Sequence, residues 1–434
     1  MKTAMGRKIY SNPAYLRIYE WGRLVSITGS AQIIIQVIGF VCGILIIRFL
    51  STQEYALYTL ANAMLGTMTV LTDGGISSGV MSEGGKVWTD RTKLGTVIAT
   101  GLSLRRRFAA YSLLVAVPIL FYMLYSHGAS VIMSLLIVIA LVPVFFASLS
   151  DIILEIPLKL SQAISPLQKN QLGSNIGRLA LTGSTIFFFP FSFIALLAAG
   201  IPRIFANFYL YKSANEYADL TQSPDQVVES EMLVLVKRIL PGAIYFSISG
   251  QLTIWLLSFF GSTAAVAQIG ALGRLTMVLS LFSVIFSTLV LPRFARLVDD
   301  KKAILKKFLQ VQFLLFVVNG LILGALMIFS KQFLSILGKD YSSLNTEILM
   351  MTISSCISMM AGITHSLSVS RGWALPAVIN IGGNLATQIL CISLLDMSNV
   401  RHVLLFSIYN SLVAFIMLIV YFLYRVVKKD NKKE

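Results

Sequence analysis

Two arginines lie inside long apolar segments of this 434-residue chain. Arg274 is near the middle of one segment, and Arg203 follows Pro202 towards the cytoplasmic end of another. A charge at the centre of a bilayer costs about 2.5–3.5 kcal/mol or more, so such residues usually face a partner or a water-filled cavity. A guanidinium in a cavity would bind an anionic substrate. The alternatives are pairing with an acid or carbonyl on a neighbouring helix and, for Arg203, extension to the membrane surface.

Amide side chains recur at helical spacing in a later apolar segment. Asn380, Asn384 and Gln388 are four residues apart, so they share one face of a helix. They predict either a polar cavity wall or hydrogen bonds between helices. In the first apolar segment, Gly39 and Gly43 form a GxxxG pattern, which is typical of close helix packing.

Acidic residues are scarce within the apolar segments. Asp73 stands in the sequence LTDGGISSG, beside glycines that permit a kink, and it is a candidate gating residue. The alternative is a helix-end carboxylate in contact with cytoplasmic water. Asp396 and Glu347 fall near the outer interface. We therefore expect no sodium or proton site built on an intramembrane carboxylate.

The sequence lacks the common motifs for metal binding by histidines, nucleotide hydrolysis and cysteine redox chemistry. The three histidines are scattered, with no HExxH, and no GxxxxGK[ST] phosphate-binding loop occurs. The three cysteines fall in apolar segments and form no CxxC pair, which indicates small buried thiols. The predicted external connections are all short. We therefore expect a protein that is not an enzyme and has no metal or other cofactor.

Composition sets the class of protein. Of the residues, 56% are apolar and 12% are charged, whereas a soluble domain has about 25% charged residues. The long continuous apolar segments predict an all-α polytopic membrane protein, since about 20 apolar residues span a bilayer. Twelve spans are predicted, at Leu24–Ile47, Tyr55–Met81, Phe108–Ser126, Val131–Ile153, Gln171–Phe189, Phe191–Tyr211, Ile239–Phe259, Ser262–Leu291, Phe308–Phe329, Leu344–Leu367, Trp373–Leu395 and Val403–Tyr424.

Basic residues predict the orientation. With the N-terminus inside, 29 of the 35 Lys and Arg residues fall in cytoplasmic segments and four in external ones. This asymmetry places both termini in the cytoplasm. It also explains the net charge of +16 without a nucleic-acid partner.

The two halves of the chain show signs of an internal repeat. A shift of 211 residues superposes Ser51 on Ser262, Thr52 on Thr263 and Ala56 on Ala267, each at an external turn. Two six-helix halves are a known transporter plan, with the substrate at their interface. The predicted organisation is an N-terminal segment (1–23), an N-terminal bundle (24–211), a cytoplasmic linker (212–238), a C-terminal bundle (239–424) and a basic tail (425–434).

The run IIRFLSTQEYALYTLANAMLGTMTVLTDGGISSGV resembles the opening of polysaccharide-type, Wzx-like flippases. Their superfamily also holds the multidrug and toxic-compound extruders and the peptidoglycan-lipid flippases. The family pattern has Arg-φ-Leu at the end of the first helix, then an acidic turn, Tyr-Gly-Leu-Tyr and Asp-x-Gly. The sequence departs from the pattern at Ala56, where glycine is common. The matching residues are Arg48, Phe49, Leu50, Glu54, Tyr55, Leu57, Tyr58, Asp73 and Gly75.

The resemblance implies two six-helix bundles in a V-shaped, MATE-like arrangement, open alternately to each side of a bacterial inner membrane. It implies a polyprenyl-diphosphate-linked oligosaccharide as cargo, membrane lipid around it, and a polysaccharide polymerase and chain-length proteins as partners in surface polysaccharide (O-antigen or exopolysaccharide) biosynthesis. Arg274 and Arg203 suit the diphosphate, and Asn380, Asn384 and Gln388 suit the sugars. The alternatives are a drug or cation extruder on the same scaffold and a membrane-embedded polysaccharide polymerase.

Overall fold

The computed structural model describes residues 13–428, apart from residues 278, 280, 281, 284, 285, 287–289, 292, 293, 295, 296, 298, 299, 372 and 374, and it describes side chains from residue 29 onward. The predicted terminal segments therefore lie partly outside the described residues. The described elements are all helical: α1 Pro13–Phe49, α2 Thr52–Asp73, α3 Ile76–Val87, α4 Arg91–Ser126, α5 Val131–Leu160, α6 Ile164–Ile186, α7 Ser192–Asn215, α8 Gln226–Phe260, α9 Thr263–Thr276, α10 Lys301–Leu337, a 3₁₀ turn Lys339–Tyr341, α11 Asn345–Ser370, α12 Ala377–Leu394 and α13 Val400–Lys428.

The predicted all-α membrane architecture is confirmed. In the described part of the chain, nine helices are long and apolar enough to span a bilayer. The other three predicted spans correspond to α2, α6 and α9. The first two have enough residues, 22 and 23, but more polar sequences. The described part of α9 has 14 residues, and the rest of the predicted eighth span falls partly outside the described residues.

The predicted second span, Tyr55–Met81, is wrong in its extent. Helix α2 ends at Asp73, and α3 begins at Ile76. Between them, Gly74 and Gly75 have φ values of +46° and +98°, a region that favours glycine because it has no Cβ. The apolar composition on both sides of the glycine pair concealed this break.

Equivalent helix caps support the predicted repeat. The Ser51 hydroxyl accepts a hydrogen bond from the Glu54 N–H at the start of α2, and Ser262 accepts one from Ala265 at the start of α9. Both serines therefore occupy the same N-cap position, the site that satisfies free N–H groups at a helix start.

A second pair of caps lies 210 residues apart, close to the spacing of the serines. The Asp90 carboxylate accepts bonds from the N–H groups two and three residues ahead at the start of α4, and Asp300 does the same for α10. These backbone bonds lower the pKa of Asp90. The helix of the third predicted span in each half, α4 or α10, therefore begins in the same way.

The apolar core is shared at one end of the molecule and divided at the other. We call the end at which α1 begins and α13 ends the inner end, and the opposite end the outer end. The N half is α1–α7 and the C half is α8–α13. At the outer end, one cluster joins residues of both halves, such as Leu124 and Leu257. Towards the inner end, two separate clusters replace it. A gap between the halves is therefore expected on the inner side.

Helix α8 contributes to both halves. Its first part, with Met232 and Val236, is buried in the inner cluster that otherwise contains N-half residues. Its last part, with Leu256 and Leu257, joins the shared outer cluster. Pro241 lies between these two parts. Residues 226–238 of the predicted linker are thus helical and continuous with the seventh span.

The repeat-related helices α2 and α9 cross at close range at the interface of the halves. A β-carbon at Gly270 of α9 would lie 2.5 Å from Oγ1 and 2.8 Å from Cγ2 of Thr59 on α2. No real Cβ tolerates such contacts, so only glycine permits this approach. The crossing places the remainder of α9 along the interface between the halves.

We expect Gly270→Ala to reduce the free energy of unfolding by about 1–3 kcal/mol, because the added methyl group forces α9 away from α2. Adding Thr59→Ala removes both clashing atoms and should restore most of the loss. Thermal unfolding in detergent measures both effects. The control is Gly320→Ala on α10, where a β-carbon meets no atom within 4 Å. Equal effects of Gly270→Ala and Gly320→Ala would contradict the close crossing.

Candidate functional site

A cavity of about 470 Å³ lies between the two halves and contains Arg274. Residues from α2 of the N half and from α8, α9, α11 and α13 of the C half form its wall. Polar groups such as Asn62, Gln251 and Ser407 alternate with apolar ones. We call this space the central cavity. It is the place where a substrate would contact both halves at once.

The Arg274 guanidinium lies beside two buried tyrosines, Tyr55 and Tyr58, whose hydroxyl groups interact with it. No carboxylate among the described residues pairs with it. A β-carbon at Gly43 of α1 would approach Cδ of Arg274 to 3.1 Å, so this glycine leaves room for the side chain. The GxxxG pattern thus serves packing, as predicted, and the helix that it contacts is α9. The site keeps a positive charge available to an anion.

Arg203 lies in a different space, a cavity of about 310 Å³ within the N half, which we call the N chamber. Its Nε donates to Asp151 Oδ2 over 2.6 Å. Asn207 donates to the other oxygen of the same carboxylate over 2.7 Å. Asp151 is thus a half-buried carboxylate within α5 that the sequence analysis overlooked, and the expectation that no sodium or proton site is built on such a group stays a prediction. The spacing of Asp151 and Glu155, four residues apart, was the signal that sequence reasoning missed.

The three amides lie in and beside a third space, a cavity of about 500 Å³ within the C half, which we call the C chamber. Asn380 and Asn384 contribute to its wall. The Asn384 amide donates to the backbone carbonyl and side-chain oxygen of Asn380. Gln388 is buried and donates to Tyr245, Ser249 and Asn410 over 3.2, 2.8 and 3.3 Å. Asn380 and Asn384 therefore form part of a polar cavity wall, and Gln388 forms hydrogen bonds between helices, so each of the two predicted alternatives applies to part of the amide face.

Asp73 lies outside all three spaces. Its carboxylate forms an ion pair with Arg105 of α4 and accepts bonds from the Ser77 N–H and hydroxyl. Arg105 is only 1% exposed and also donates to the Leu149 carbonyl over 2.5 Å. These contacts join α2, α3, α4 and α5 at the inner end of the N half. The gating hypothesis for Asp73 stays a prediction.

The structure thus distributes the candidate residues among separate places. Arg274 lies in the central cavity, Arg203 in the N chamber and two of the amides in the C chamber. The residues that match the flippase pattern also have different roles in the structure. Tyr55 and Tyr58 flank Arg274, whereas the Glu54 carboxylate accepts the Ser192 N–H over 2.7 Å at the start of α7.

Polar contacts join the two halves at the outer end. The buried imidazole of His127, in the turn after α4, lies 3.0 Å from the Ser258 carbonyl and 3.0 Å from the Thr263 hydroxyl of the C half. Because the carbonyl can only accept, Nε2 donates to it, and Nδ1 accepts from Thr263. Arg48 donates to two carbonyls at the end of α10, over 2.8 Å each. These contacts keep the outer side closed.

No family model matches the sequence, and no curated protein matches it with significance. Solved structures do match. The chain is 13% identical to a MATE family multidrug resistance transporter of the MOP superfamily in its inward-facing conformation, with a TM-score of 0.73 over 92% of this chain and 96% of that one. The fold is that of the MATE transporters.

Two further structures with the MATE fold bear on the conformation and the cavity. An outward-facing MATE family transporter is 12% identical, with a TM-score of 0.55 over 95% of this chain and 96% of that one. A MOP superfamily transporter from Pyrococcus furiosus, described as having a binding pocket of reverse polarity that suggests a different function, is 13% identical, with a TM-score of 0.57 over 94% and 95% of the two chains. The higher score of the inward-facing structure agrees with the closed outer end.

We expect acid to favour separation of the outer ends. Burial lowers the pKa of His127 below its ordinary value, and no charged group acts on the imidazole from α8, α9 or its own turn among the described residues. The neutral ring therefore stabilises the closed arrangement above about pH 6.5, and this contribution is lost as the pH falls through the lowered value. Amide hydrogen exchange at residues 258–263, corrected for intrinsic rates, should quicken between pH 7.5 and pH 5.5.

The control for this measurement is His127→Gln, which keeps a polar side chain without the titration. In that variant the corrected exchange rates should be independent of pH over the same range. The same pH dependence in both proteins would contradict the assignment to His127.

Proposed function

We propose that the protein is a flippase. It moves polyprenyl-diphosphate-linked oligosaccharide units from the cytoplasmic to the outer leaflet of a bacterial inner membrane, for surface polysaccharide biosynthesis. Transport proceeds by alternating access, in which the central cavity opens first to the inner and then to the outer side. Both termini lie in the cytoplasm. The fold supports transport of this kind, and the charge of the cavity supports this class of cargo.

The observation that carries the proposal is the unpaired Arg274 guanidinium in the central cavity. A cation without a counter-ion in a site of low dielectric constant attracts anions strongly. A diphosphate is a strong anion with several acceptor oxygens, and arginine binds such groups through paired N–H donors. The Tyr55 and Tyr58 hydroxyls interact with the same guanidinium.

The rest of the cargo fits the surroundings of Arg274. Sugars need hydrogen-bonding walls, and the central cavity supplies Asn62, Gln251 and Ser407. The C chamber supplies further amides, Asn380 and Asn384. The lipid tail would stay in the bilayer and enter between the bundles. No covalent step is required, so no enzyme activity or cofactor is proposed.

A drug or cation extruder is the second candidate, because the structural neighbours with this fold include multidrug transporters. Such a protein would place unpaired acids in its central cavity. The described residues that line this cavity include no acid, and the described acids of the neighbouring N chamber are paired with basic residues. The Pyrococcus furiosus structure is described as having a pocket of reverse polarity and a different function. A change of pocket polarity on this fold is therefore compatible with a change of cargo. The polymerase alternative has no structural support in the described residues.

We expect Arg274→Ala to abolish complementation of a transport-deficient strain while the protein reaches normal levels. The substitution removes the cavity charge that offsets desolvation of the diphosphate. Surface polysaccharide measured by gel and membrane protein measured by immunoblot test this. Arg274→Lys keeps the charge but loses the paired donors, so it should retain part of the activity.

Arg106→Ala is the matched control. Arg106 is an exposed arginine near the inner end of α4, and its loss should leave surface polysaccharide at the level of the unsubstituted protein. Full activity of Arg274→Ala at normal protein levels would overturn the role of Arg274 in binding an anion.

A further inference from the structure

A second arginine without a counter-ion lies in the N chamber. Arg178 is on α6 and contributes to the wall of this chamber together with Asp151, Glu155 and Arg203. Arg178 lies within the predicted fifth span, Gln171–Phe189, but was counted with the cytoplasmic basic residues. The structure instead places it inside the N half, half-buried.

The other charges in the N chamber neutralise one another. Asp151 pairs with Arg203 over 2.6 Å. Glu155 pairs with Lys159 over 2.7 Å and accepts a bond from Gln171 over 3.0 Å. Among the described residues, no carboxylate pairs with Arg178, and its Nε is buried without a hydrogen-bond partner. A buried donor without an acceptor is unfavourable, so the chamber lacks one anionic or acceptor group.

The N chamber adjoins the central cavity. Asn62 of α2 contributes to the walls of both. Cys42 of α1 lies close enough to Arg178 and to Arg274 to interact electrostatically with both. Both unpaired guanidinium groups therefore lie within electrostatic range of Cys42, one in each space. A single elongated ligand could contact both.

We propose that Arg178 binds a second anionic group of the same cargo molecule whose first anion lies on Arg274. This inference rests on the proposed function and specifies which side chains recognise the cargo. The second anion is a phosphate of the diphosphate or a carboxylate of an acidic sugar, and both are bound by the donor pair of a guanidinium. Asn62 lines both spaces; one amide hydrogen bonds the Tyr58 carbonyl over 2.9 Å, and the other donates to a neutral oxygen of the same molecule.

The experiment measures binding of short-chain probes to the purified full-length protein in detergent, by isothermal titration calorimetry. The probes are farnesyl diphosphate, farnesyl monophosphate and free glucuronate, the last as a competitor. The unsubstituted protein should prefer the diphosphate. Arg178→Gln should weaken diphosphate binding by about tenfold or more and leave monophosphate binding unchanged. Arg274→Gln should weaken both.

Two further variants separate binding from folding. Lys169→Gln removes an exposed charge from the same helix, α6, and should leave all affinities unchanged. Arg178→Lys keeps the charge and should recover part of the diphosphate affinity. Unfolding midpoints without ligand show whether each variant is folded. If Arg178→Gln is unfolded, Arg178→Lys alone still decides, because loss of the paired donors should weaken diphosphate binding but not monophosphate binding.

The outcomes separate this inference from the proposed function. If Arg178→Gln spares both prenyl phosphates but weakens competition by glucuronate, the second anion is a sugar carboxylate and the inference holds. If Arg274→Gln weakens binding and Arg178→Gln changes nothing, the inference is overturned and the flippase proposal survives. If the unsubstituted protein binds neither prenyl phosphate, the flippase proposal fails, and the inference fails with it.

Discussion

The close crossing of α2 and α9 is the constraint on which the site depends. Gly270 lets α9 approach the side chain of Thr59, and this contact brings the two repeat-related helices together at the interface of the halves. Arg274, one helical turn further along α9, consequently lies in the central cavity beside Tyr55 and Tyr58. The shared outer core and the polar contacts of His127 and Arg48 hold the halves together at the outer end. At the inner end the first part of α8 packs on the N half, where Arg107 pairs with Glu229 over 2.7 Å. The inner cores stay separate, so the cavity has one closed end.

Charge is distributed unequally around that cavity. The N half contains paired acids and bases, and the C half presents mainly neutral amides and hydroxyls. Of the cavity arginines, Arg203 is neutralised by Asp151, whereas Arg274 and Arg178 lack an acidic partner among the described residues. This difference decides which of the candidate arginines can attract an anion. An unpaired arginine in the cavity also favours an anionic cargo over a cationic drug, because a cationic drug would need an unpaired carboxylate there.

Much of the fold could be predicted from the sequence, and less of the site. Apolar segment length predicted the helices, and the serines at positions 51 and 262 predicted the repeat because capping is local chemistry. The break at Gly74–Gly75 was missed because apolar residues continue on both sides of it. Periodicity shows which residues share a helix face but not which helix that face contacts. The sequence therefore left pairing with an acid open for both Arg203 and Arg274, and Arg178 was counted with the cytoplasmic basic residues. The positions of the neighbouring helices decide each case.

The most direct test of the account is to deplete the protein in its host and determine in which leaflet lipid-linked oligosaccharide accumulates. The account predicts that complete oligosaccharide units accumulate on the cytoplasmic leaflet while surface polysaccharide is lost, because the proposed cargo can no longer cross the membrane. Accumulation of single units on the outer leaflet would contradict it and indicate a defect in polymerisation. An unchanged lipid-linked pool together with altered sensitivity to cationic drugs would contradict it in favour of an extruder.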